Sequence, residues 1–396
     1  MIRRRFALAA VLCLLFASIP ASCARSAPPV TTPAAPQAAA PAPPPAPPVA
    51  AREPAIPERL SDQEFWDLVT QFSESNGYFR SDNLLSNEIW LQYVIPELLS
   101  VAKPGRVYMG VGPEQNFTYI AALKPAMAFI VDVRRGNLDL HLMYKALFEL
   151  SEDRVDFASR LFARKRPEGL SAASSANDIF AALATAETNE SLFAENLSAV
   201  VDLLTKTHHF ALAPDDVPGI EYVYRNFQTY GPGLTYWMGG RGGGFGRNSP
   251  SYADLMVSTD ESGQPRSYMA SEENFTTLKD LESKNLLVPL VGNFAGPKAI
   301  RSVAQYLKER HAVVAAFYLS NVEQYLRMDG LWPAFCSNAA TLPLDEGSRF
   351  IRSVRNGQFG YGPGLSSTLG VMIDEVKDCS TAVEMNGRLT AIAHPH

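Results

Sequence analysis

Apolar residues near the start of the folded part recur at helical intervals. In the stretch "SDQEFWDLVTQFSE", Ser61 is followed three residues later by Glu64, which is the spacing of a capping box at the start of a helix. The stretch "SNEIWLQYVIPELLSVA" predicts a second helix with a kink at Pro96, because proline removes a backbone hydrogen bond from a helix interior. The folded part is therefore predicted to begin with two helices.

The next elements alternate between strand-like and helical patterns. We predict strands over residues 106–110 and 127–133, and helices over residues 116–123 and 138–150. This β-α-β-α order favours a parallel sheet whose crossover connections are right-handed.

The middle of the chain, residues 151–229, is rich in alanine and helical in pattern, so a helical insertion is predicted there. After a glycine-rich loop, "YADLMVST", "LLVPLVGNF" and "AVVAAFYLS" predict strands, while "SEENFTTLKDLESKN" and "GPKAIRSVAQYLKER" predict helices. Nearly continuous apolar strands are typical of a sheet covered on both faces. The predicted class is α/β, with a Rossmann-like, mostly parallel sheet and helices on both faces. The stretches "FCSNAATL" and "SRFIRSV" are expected to add a hairpin at the sheet edge.

The N-terminal region differs from the folded part. An arginine-rich start followed by an apolar run predicts that residues 1–24 are an export signal. The stretch "IPASC" is consistent with cleavage after Ala24, and equally with cleavage before Cys23 and lipid attachment. The protein is thus expected in the periplasm or lipid-anchored to the cell envelope. Residues 25–57 are rich in proline and alanine, which predicts an extended spacer before the domain at 58–396.

Charge and cysteine content narrow the expected partners. The formal net charge is −6, and loss of the signal arginines would make it more negative, so nucleic acid is not expected as a partner. Of the four cysteines, Cys336 and Cys379 lie in the folded part and form either one disulfide or two buried thiols. The six histidines show no metal-binding spacing with carboxylates on one helix face, so no metal site is predicted.

Two glycine-containing segments have both a structural and a functional interpretation. "RNFQTYGPGL" (225–234) and "RNGQFGYGPGL" (355–365) are either two similar turns or related loops that flank one site. "YWMGGRGGGFGRNSP" (236–250) is either a loop without fixed structure or a lid whose Arg241 or Arg247 meets an anionic ligand.

The stretch "GRVYMGVGPEQNFTYI" carries the most specific pattern. In open α/β sheets, ligands bind at the carboxyl ends of strands, where glycine admits a close ligand and a helix N-terminus favours negative charge. Gly110 and Gly112 occupy this place, and the helix begins near Asn116. Asp132 ends the next strand, where a carboxylate can accept hydrogen bonds from ribose hydroxyls. A glutamine replaces the third glycine of G-x-G-x-x-G, which weakens an NAD interpretation.

The stretches "PELLSVAKPGRVYMGVGP" and "AFIVDVRRGNL" resemble the first motif and second strand of class I S-adenosylmethionine-dependent methyltransferases. The resemblance implies that Gly110 and Gly112 face the methionine part of S-adenosylmethionine and that Asp132 binds its ribose. The chain differs from the family pattern at Tyr108, where an acidic residue is usual. Other stretches between residues 74 and 352, among them "HLMYKALFE" and "VPLVGNFAGPKAIRSV", resemble an uncharacterised bacterial family with a methyltransferase-like fold.

Polar residues gather where the predicted strands end. Each one alone is explained as a cap or turn residue. Because the carboxyl ends of parallel strands share one edge of a sheet, together they predict a ligand pocket. The candidates are Asn83, Asn87, Glu88, Arg134, Asn137, Asn293, Ser320, Asn321 and Glu323.

Three functions compete on these grounds. The first is a methyltransferase-like domain, active or inactive, that binds a small nucleoside-containing or anionic ligand, with S-adenosylmethionine as the implied cofactor. The second is a non-catalytic envelope protein with a degenerate cofactor cleft, because S-adenosylmethionine is made in the cytoplasm and an exported enzyme would lack it. The third is a hydrolase or transferase that uses carboxylates such as Glu88, Asp132 or Glu323. In each case the expected partner is a small molecule, and the membrane is reached only through the predicted lipid anchor.

Overall fold

A six-stranded β-sheet forms the centre of the protein in the computed structural model, which describes residues 55–236, 249–355 and 365–379. Its strands are β1 (Val107–Gly110), β2 (Met127–Asp132), β3 (Leu287–Val291), β4 (Val314–Ser320), β5 (Arg349–Arg355) and β6 (Leu365–Val371). They lie in the order β3-β2-β1-β4-β5-β6, and each neighbouring pair is parallel except β5 and β6. This arrangement confirms the predicted α/β class with a mostly parallel sheet.

Some predicted features lie outside the described residues. They are the signal, the spacer up to residue 54, the part of the glycine-rich loop that holds Arg241 and Arg247, and most of the second copy of the repeated segment. The described residues all belong to one compact unit, Arg52–His396.

The inner strands are buried on both sides. Every residue of β1, β2 and β3 is buried, and Ser320 at the end of β4 is partly exposed. The strands are almost entirely apolar, and removing apolar surface from water stabilises the folded state by about 25 cal/mol per Å². The continuous apolar runs in the sequence therefore identify these strands correctly.

Helices flank the sheet. Their bounds are α1 (Asp62–Phe72), α2 (Ile95–Val101), α3 (Gln115–Leu123), α4 (Arg135–Leu150), α5 (Arg154–Leu161), α6 (Ala176–Thr185), α7 (Glu190–Asp202), α8 (Asp216–Tyr230), α9 (Tyr252–Val257), α10 (Glu272–Ser283), α11 (Ala299–Glu309), α12 (Val322–Met328) and α13 (Trp332–Ala339). Helix α10 packs against α3 and α4, whereas α11 packs against α1 and α13. Short 3₁₀ helices span Leu91–Val94 and Gly231–Gly233, and a π-helical turn spans Leu203–Thr207. Within the described ranges, no helix is both long and apolar enough to cross a membrane.

The connection from β2 to β3 is long and mostly helical. It contains α4 to α10, and α5 to α8 fall within residues 151–229, where the sequence predicts a helical insertion. Helix α8 packs along α4. The first copy of the repeated segment, residues 225–234, forms the last turns of α8 and the 3₁₀ helix that follows.

The N-terminal helices are only partly as predicted. Ser61 and Glu64 form the expected capping box at the start of α1. The second predicted helix is wrong in its first half: a 3₁₀ helix, Leu91–Val94, leads into α2, and Pro96 lies in the first turn of α2. Proline is tolerated there because the first turn has no intrahelical acceptor for its missing N–H.

Two predicted strands are helices. "YADLMVST" forms α9, because Ser251 and Asp254 make a capping box in front of it. "FCSNAATL" falls largely in α13, where Pro333 occupies the first turn. The predicted hairpin exists, but β5 pairs with β6 in antiparallel register instead of with this segment.

Two carboxyl groups meet where α4 packs on α8. Asp139 lies beside Asp216, and a Cβ added at Gly219 would clash with the Asp139 carboxyl. Arg135 donates to both oxygens of Asp216, from Nε at 2.5 Å and Nη2 at 2.7 Å. Burial, and then the charge of Asp216, raise the pKa of Asp139 to about 8. Asp139 is therefore largely protonated at neutral pH in the folded state.

Replacing Asp139 should weaken the pH dependence of stability. Its pKa rises from 3.8 to about 8 on folding, so the folded state binds the extra proton in this window and stability falls as the pH rises through it. Asp139→Asn keeps a hydrogen-bond donor that does not ionise. Between pH 5 and pH 8, the free energy of unfolding of the wild type should fall relative to the variant by about 1 kcal/mol or more, measured by urea unfolding.

The matched control is Glu221→Gln, because Glu221 is exposed on α8, the helix that carries Asp216. Its free energy of unfolding should follow the wild type across the same pH range. A parallel response of wild type and Asp139→Asn would mean that the Asp139 carboxyl keeps no proton.

A disulfide joins Cys336 in α13 to Cys379, eight residues after β6. The two Cα atoms are 5.7 Å apart, and 43 residues separate the cysteines in sequence. Of the two alternatives left by the sequence, the structure therefore has the disulfide. The closed loop contains the β5–β6 pair, so the bridge restricts the unfolded chain around the antiparallel edge.

Removing this bridge should destabilise the folded protein. A loop of this length is expected to contribute about 2–4 kcal/mol, chiefly through the entropy of the unfolded chain. Cys379→Ser should lower the free energy of unfolding by this amount. Dithiothreitol should lower the melting temperature of the wild type and leave that of Cys379→Ser unchanged; an equal response of both would contradict the assignment.

Candidate functional site

A cleft opens at the carboxyl ends of β1, β2, β3 and β4. It encloses about 980 Å³ of empty space, part of it open to solvent. The strand order reverses between β1 and β4, which is where open α/β sheets bind ligands. Among the sequence-predicted residues, the cleft is lined by Asn83, Asn87, Glu88, Gly112, Asp132, Arg134, Asn293, Ser320 and Asn321.

Gly110 and Asn116 lie behind the cleft and shape its floor. The Asn116 side-chain amide donates to the carbonyls of Val111, Gly112 and Pro113 at 3.0, 3.2 and 2.7 Å. A Cβ at Gly110 would clash with Asn116 Oδ1. Glycine at position 110 is therefore required by the Asn116 side chain, and Asn116 holds the loop rather than facing the cleft.

The second glycine of the loop has a backbone that favours glycine. Gly112 has φ +77°, a left-handed conformation that other residues adopt with strain. Its carbonyl oxygen lies 2.9 Å from His141 Nε2. Burial lowers the pKa of His141 to about 4, so the imidazole is neutral and donates from Nε2. His141 is a supporting residue that sequence reasoning missed, because only the packing of α4 brings it to the loop.

Asp132, the residue expected to bind ribose, is already paired. Arg134 donates to Asp132 Oδ1 from its backbone N–H at 2.9 Å and from Nε at 3.1 Å, and to Oδ2 from Nη2 at 3.1 Å. The Arg134 guanidinium also donates to the carbonyl of Asp82. The side chains of Asp132 and Arg134 are only 6% and 9% exposed, so this is a buried ion pair. Little hydrogen-bonding capacity of Asp132 remains for a ligand, and Arg134 is not free to bind an anion.

Glu88 is a buried carboxyl in the lining of the cleft. Tyr318 and Ser320 donate to Glu88 Oε1, the latter at 2.8 Å. Within the described part of the chain, Oε2 has no hydrogen-bond partner although it is buried. Burial raises the pKa of Glu88, and the hydroxyls of Tyr318 and Ser320 oppose this effect. The sequence analysis did not predict Tyr318 as a site residue, although it is two residues before Ser320 in β4.

Asn293 and Glu323 have local structural partners. The Asn293 side chain accepts from the N–H of Ala295 at 2.9 Å, so Asn293 caps a turn while it lines the cleft. Glu323 pairs with Arg352 at 2.9 Å and is not part of the cleft lining. Asn137 is buried in the first turn of α4 and does not line the cleft either.

Glu74 organises the loop between β3 and α11. Its carboxylate accepts from the N–H groups of Asn293, Lys298 and Ala299 at 3.1, 2.8 and 3.0 Å. Glu74 lies 219 residues before Asn293 in the sequence, so no local pattern reveals the contact.

An aromatic wall completes the cleft. Phe79 and Tyr325 pack edge to face with ring centroids 5.1 Å apart. Arg80 donates to the Tyr325 hydroxyl at 2.9 Å, which fixes the ring. Tyr78, Tyr236 and Phe294 also line the cleft. These aromatic residues, together with the open polar groups, fit a flat ligand that carries hydroxyl or amino groups. In the described ranges, no group of three metal-binding side chains occurs.

Comparison with known proteins places the chain in a family. Residues 84–391 of the 396 match a family described as a domain of unknown function, DUF7790. The protein therefore belongs to this family. No curated protein matches the chain.

The Asp132–Arg134 pair should contribute more to stability than a turn cap does. Asp132→Asn leaves a buried guanidinium beside a neutral group, and breaking a buried ion pair costs about 3 kcal/mol, against about 1 kcal/mol for a lost cap. The free energy of unfolding, measured with urea, should fall by about 2–3 kcal/mol.

The control is the double variant Asp132→Asn/Arg134→Gln. Because both changes remove the same contact, it should lose less than the sum of the single variants. Additive losses, or a loss below about 1 kcal/mol for Asp132→Asn, would show that the pair does not act as a unit.

Proposed function

We propose that the protein binds a small nucleoside-containing ligand in this cleft, in a Rossmann-like domain of the class I methyltransferase type. The observation that carries the proposal is the place of the cleft, at the reversal of strand order, with a glycine loop after β1 and an acid at the end of β2. The preformed loop and the aromatic wall supply a flat, partly apolar site, and Asn83, Asn87 and Asn321 supply polar contacts.

The residues of the cleft fit the nucleoside part of S-adenosylmethionine better than an anionic group. Aromatic side chains suit a base, and the open oxygen of Glu88 suits a donor. When bound, S-adenosylmethionine would supply an activated methyl group; Gly112 and Gln115 would border it. The Asp132–Arg134 ion pair leaves no free cation on the described lining, so the anionic alternative receives no support from these contacts.

Two alternatives remain supported by particular observations. The Asp132–Arg134 ion pair favours a non-catalytic binding protein, because the acid expected to hold ribose is occupied. The carboxyl of Glu88 favours a hydrolase or transferase, because among Glu88, Asp132 and Glu323 it is the one that keeps an oxygen without a hydrogen-bond partner in the described part of the chain.

Export to the envelope is part of the proposal. The Cys336–Cys379 disulfide supports it, because disulfides persist in oxidising compartments and are rare in the cytoplasm of mesophiles. Envelope location would separate the protein from cytoplasmic S-adenosylmethionine and would thereby favour binding over methyl transfer.

A thermal-shift panel tests the proposed function. The full chain is incubated with S-adenosylmethionine, S-adenosylhomocysteine, NAD, adenosine, nucleotides, sugars and cell-wall fragments. A ligand at 100 times its Kd should stabilise the protein by about 2.7 kcal/mol, which raises the melting temperature by a few degrees. If every nucleoside leaves the melting temperature unchanged, the proposal fails.

Cleft variants locate the binding. Val322 lines the cleft at the start of α12, and Gln324 lies on the same helix outside the lining and is exposed. Val322→Trp should reduce the affinity for a nucleoside found by the panel about tenfold or more, because the indole fills the cleft, whereas Gln324→Trp should not change it. Equal affinities would place the nucleoside elsewhere.

A further inference from the structure

The cleft contains several buried acceptors without partners. Glu88 is 1% exposed, and its Oε2 makes no hydrogen bond within the described residues. The oxygens Asn83 Oδ1 and Gln115 Oε1 are also buried without a partner, and both residues line the same cleft. A buried acceptor that stays unpaired costs about 1–3 kcal/mol, so such groups point to a missing donor.

The orientation of Gln115 is fixed by the protein. Its Nε2 donates to the carbonyl of Val111 at 3.3 Å, so the side-chain oxygen is the atom left open. Both side-chain atoms of Glu88 that can form hydrogen bonds are oxygens, so the open atom is an acceptor when the carboxyl is ionised. The hydroxyls of Ser353 and Ser367 also face Glu88 and lower its pKa, but Ser367 is engaged with Tyr119 at 3.1 Å. Among the described residues that line the cleft, the buried polar atoms without a partner are thus oxygens of acceptor groups; the Ser353 hydroxyl, which also lacks a partner, is not part of the lining.

The charged residues of the described lining, like the unpaired acceptors, disfavour an anionic ligand. The charged residues are Glu88, Asp132, Arg134 and Asp329. The single cation among them, Arg134, donates to both oxygens of Asp132. On the described part of the lining, an incoming phosphate or carboxylate would meet acceptors and carboxyl groups and no free cation, whereas an ammonium or hydroxyl group would meet partners.

We propose that the Glu88 end of the cleft is a subsite for a hydrogen-bond-donating group, an ammonium or a hydroxyl, and that it excludes anions. The inference rests on the proposed function in placing the ligand in this cleft, but it does not require that the ligand be a nucleoside. It names the chemistry of the ligand: a neutral or cationic molecule whose donor group meets Oε2 of Glu88.

Two matched series of probes test the subsite on the full chain at pH 7. The nucleoside series is 5′-amino-5′-deoxyadenosine, 5′-deoxyadenosine and adenosine 5′-monophosphate; the sugar series is 6-amino-6-deoxyglucose, 6-deoxyglucose and glucose 6-phosphate. In at least one series the amine should bind about tenfold or more tighter than the phosphate, with the deoxy compound between them, measured by thermal shift over a range of concentrations.

Variants of two buried glutamates assign the effect. Glu88→Gln should lower the affinity for the amine about tenfold and leave that for the deoxy compound unchanged. Glu114→Gln is the control, because Glu114 is buried next to the cleft but both of its oxygens face the N–H of Ser86, at 3.2 and 3.3 Å. It should bind all probes as the wild type does.

The outcomes separate the two proposals. An amine preference in the sugar series alone supports the subsite and rejects the nucleoside. A phosphate preference, an equal affinity for amine and phosphate, or no binding in both series overturns the subsite, and these results need only the wild-type protein. An equal loss of amine affinity in both variants would likewise reject the role of Glu88.

Discussion

The side-chain amide of Asn116 holds the loop on which the cleft depends. Its nitrogen donates to three consecutive carbonyls after β1, and its oxygen accepts from the Tyr108 hydroxyl at 2.9 Å. One residue thereby fixes both the turn at Gly112 and the absence of a side chain at position 110. Because the loop is held by the protein's own contacts, the floor of the cleft exists before a ligand arrives, which lowers the ordering cost of binding.

Other buried polar groups of the protein pair with one another between packed elements. Lys145 donates to Asn285 at 2.6 Å and to the carbonyl of Glu282 at 2.5 Å. His208 lies between two carboxylates, 2.8 Å from Asp62 and 2.9 Å from Glu149. These donors and acceptors serve the packing of α1, α4 and the π-helical turn. Glu88 differs from them in that it lines the cleft while one of its oxygens has no hydrogen-bond partner among the described residues, and this difference carries the functional interpretation.

Sequence patterns predicted what local chemistry determines. The apolar runs identified β1 to β4, and the spacing of Ser61 and Glu64 identified the start of α1, because burial and capping act within a few residues. The same patterns failed for α9, where an apolar stretch suits a strand and a helix equally and the cap at Ser251 decides.

The sequence predicted the location of the candidate site but not the contacts between its side chains. Strand ends located most of its lining residues. Three contacts of the site depend on side-chain directions that only the packed structure sets. They are the contacts of Arg134 with Asp132, of His141 with the Gly112 carbonyl and of Tyr318 with Glu88. Residues from distant parts of the chain meet at these contacts, so spacing in the sequence carries no signal for them.

The different surroundings of Glu88 and Asp132 link the charge of a ligand to proton binding. Asp132 is paired with the Arg134 guanidinium, whereas burial raises the pKa of Glu88, whose described neighbours Tyr318 and Ser320 are hydroxyls. A cationic group placed against Glu88 would favour the ionised carboxyl, so its binding would release a proton, and by linkage the affinity for that group would rise with pH while Glu88 titrates. A neutral hydroxyl would lack this strong coupling. The binding of a cationic group at the proposed subsite and the release of a proton from Glu88 are therefore thermodynamically linked.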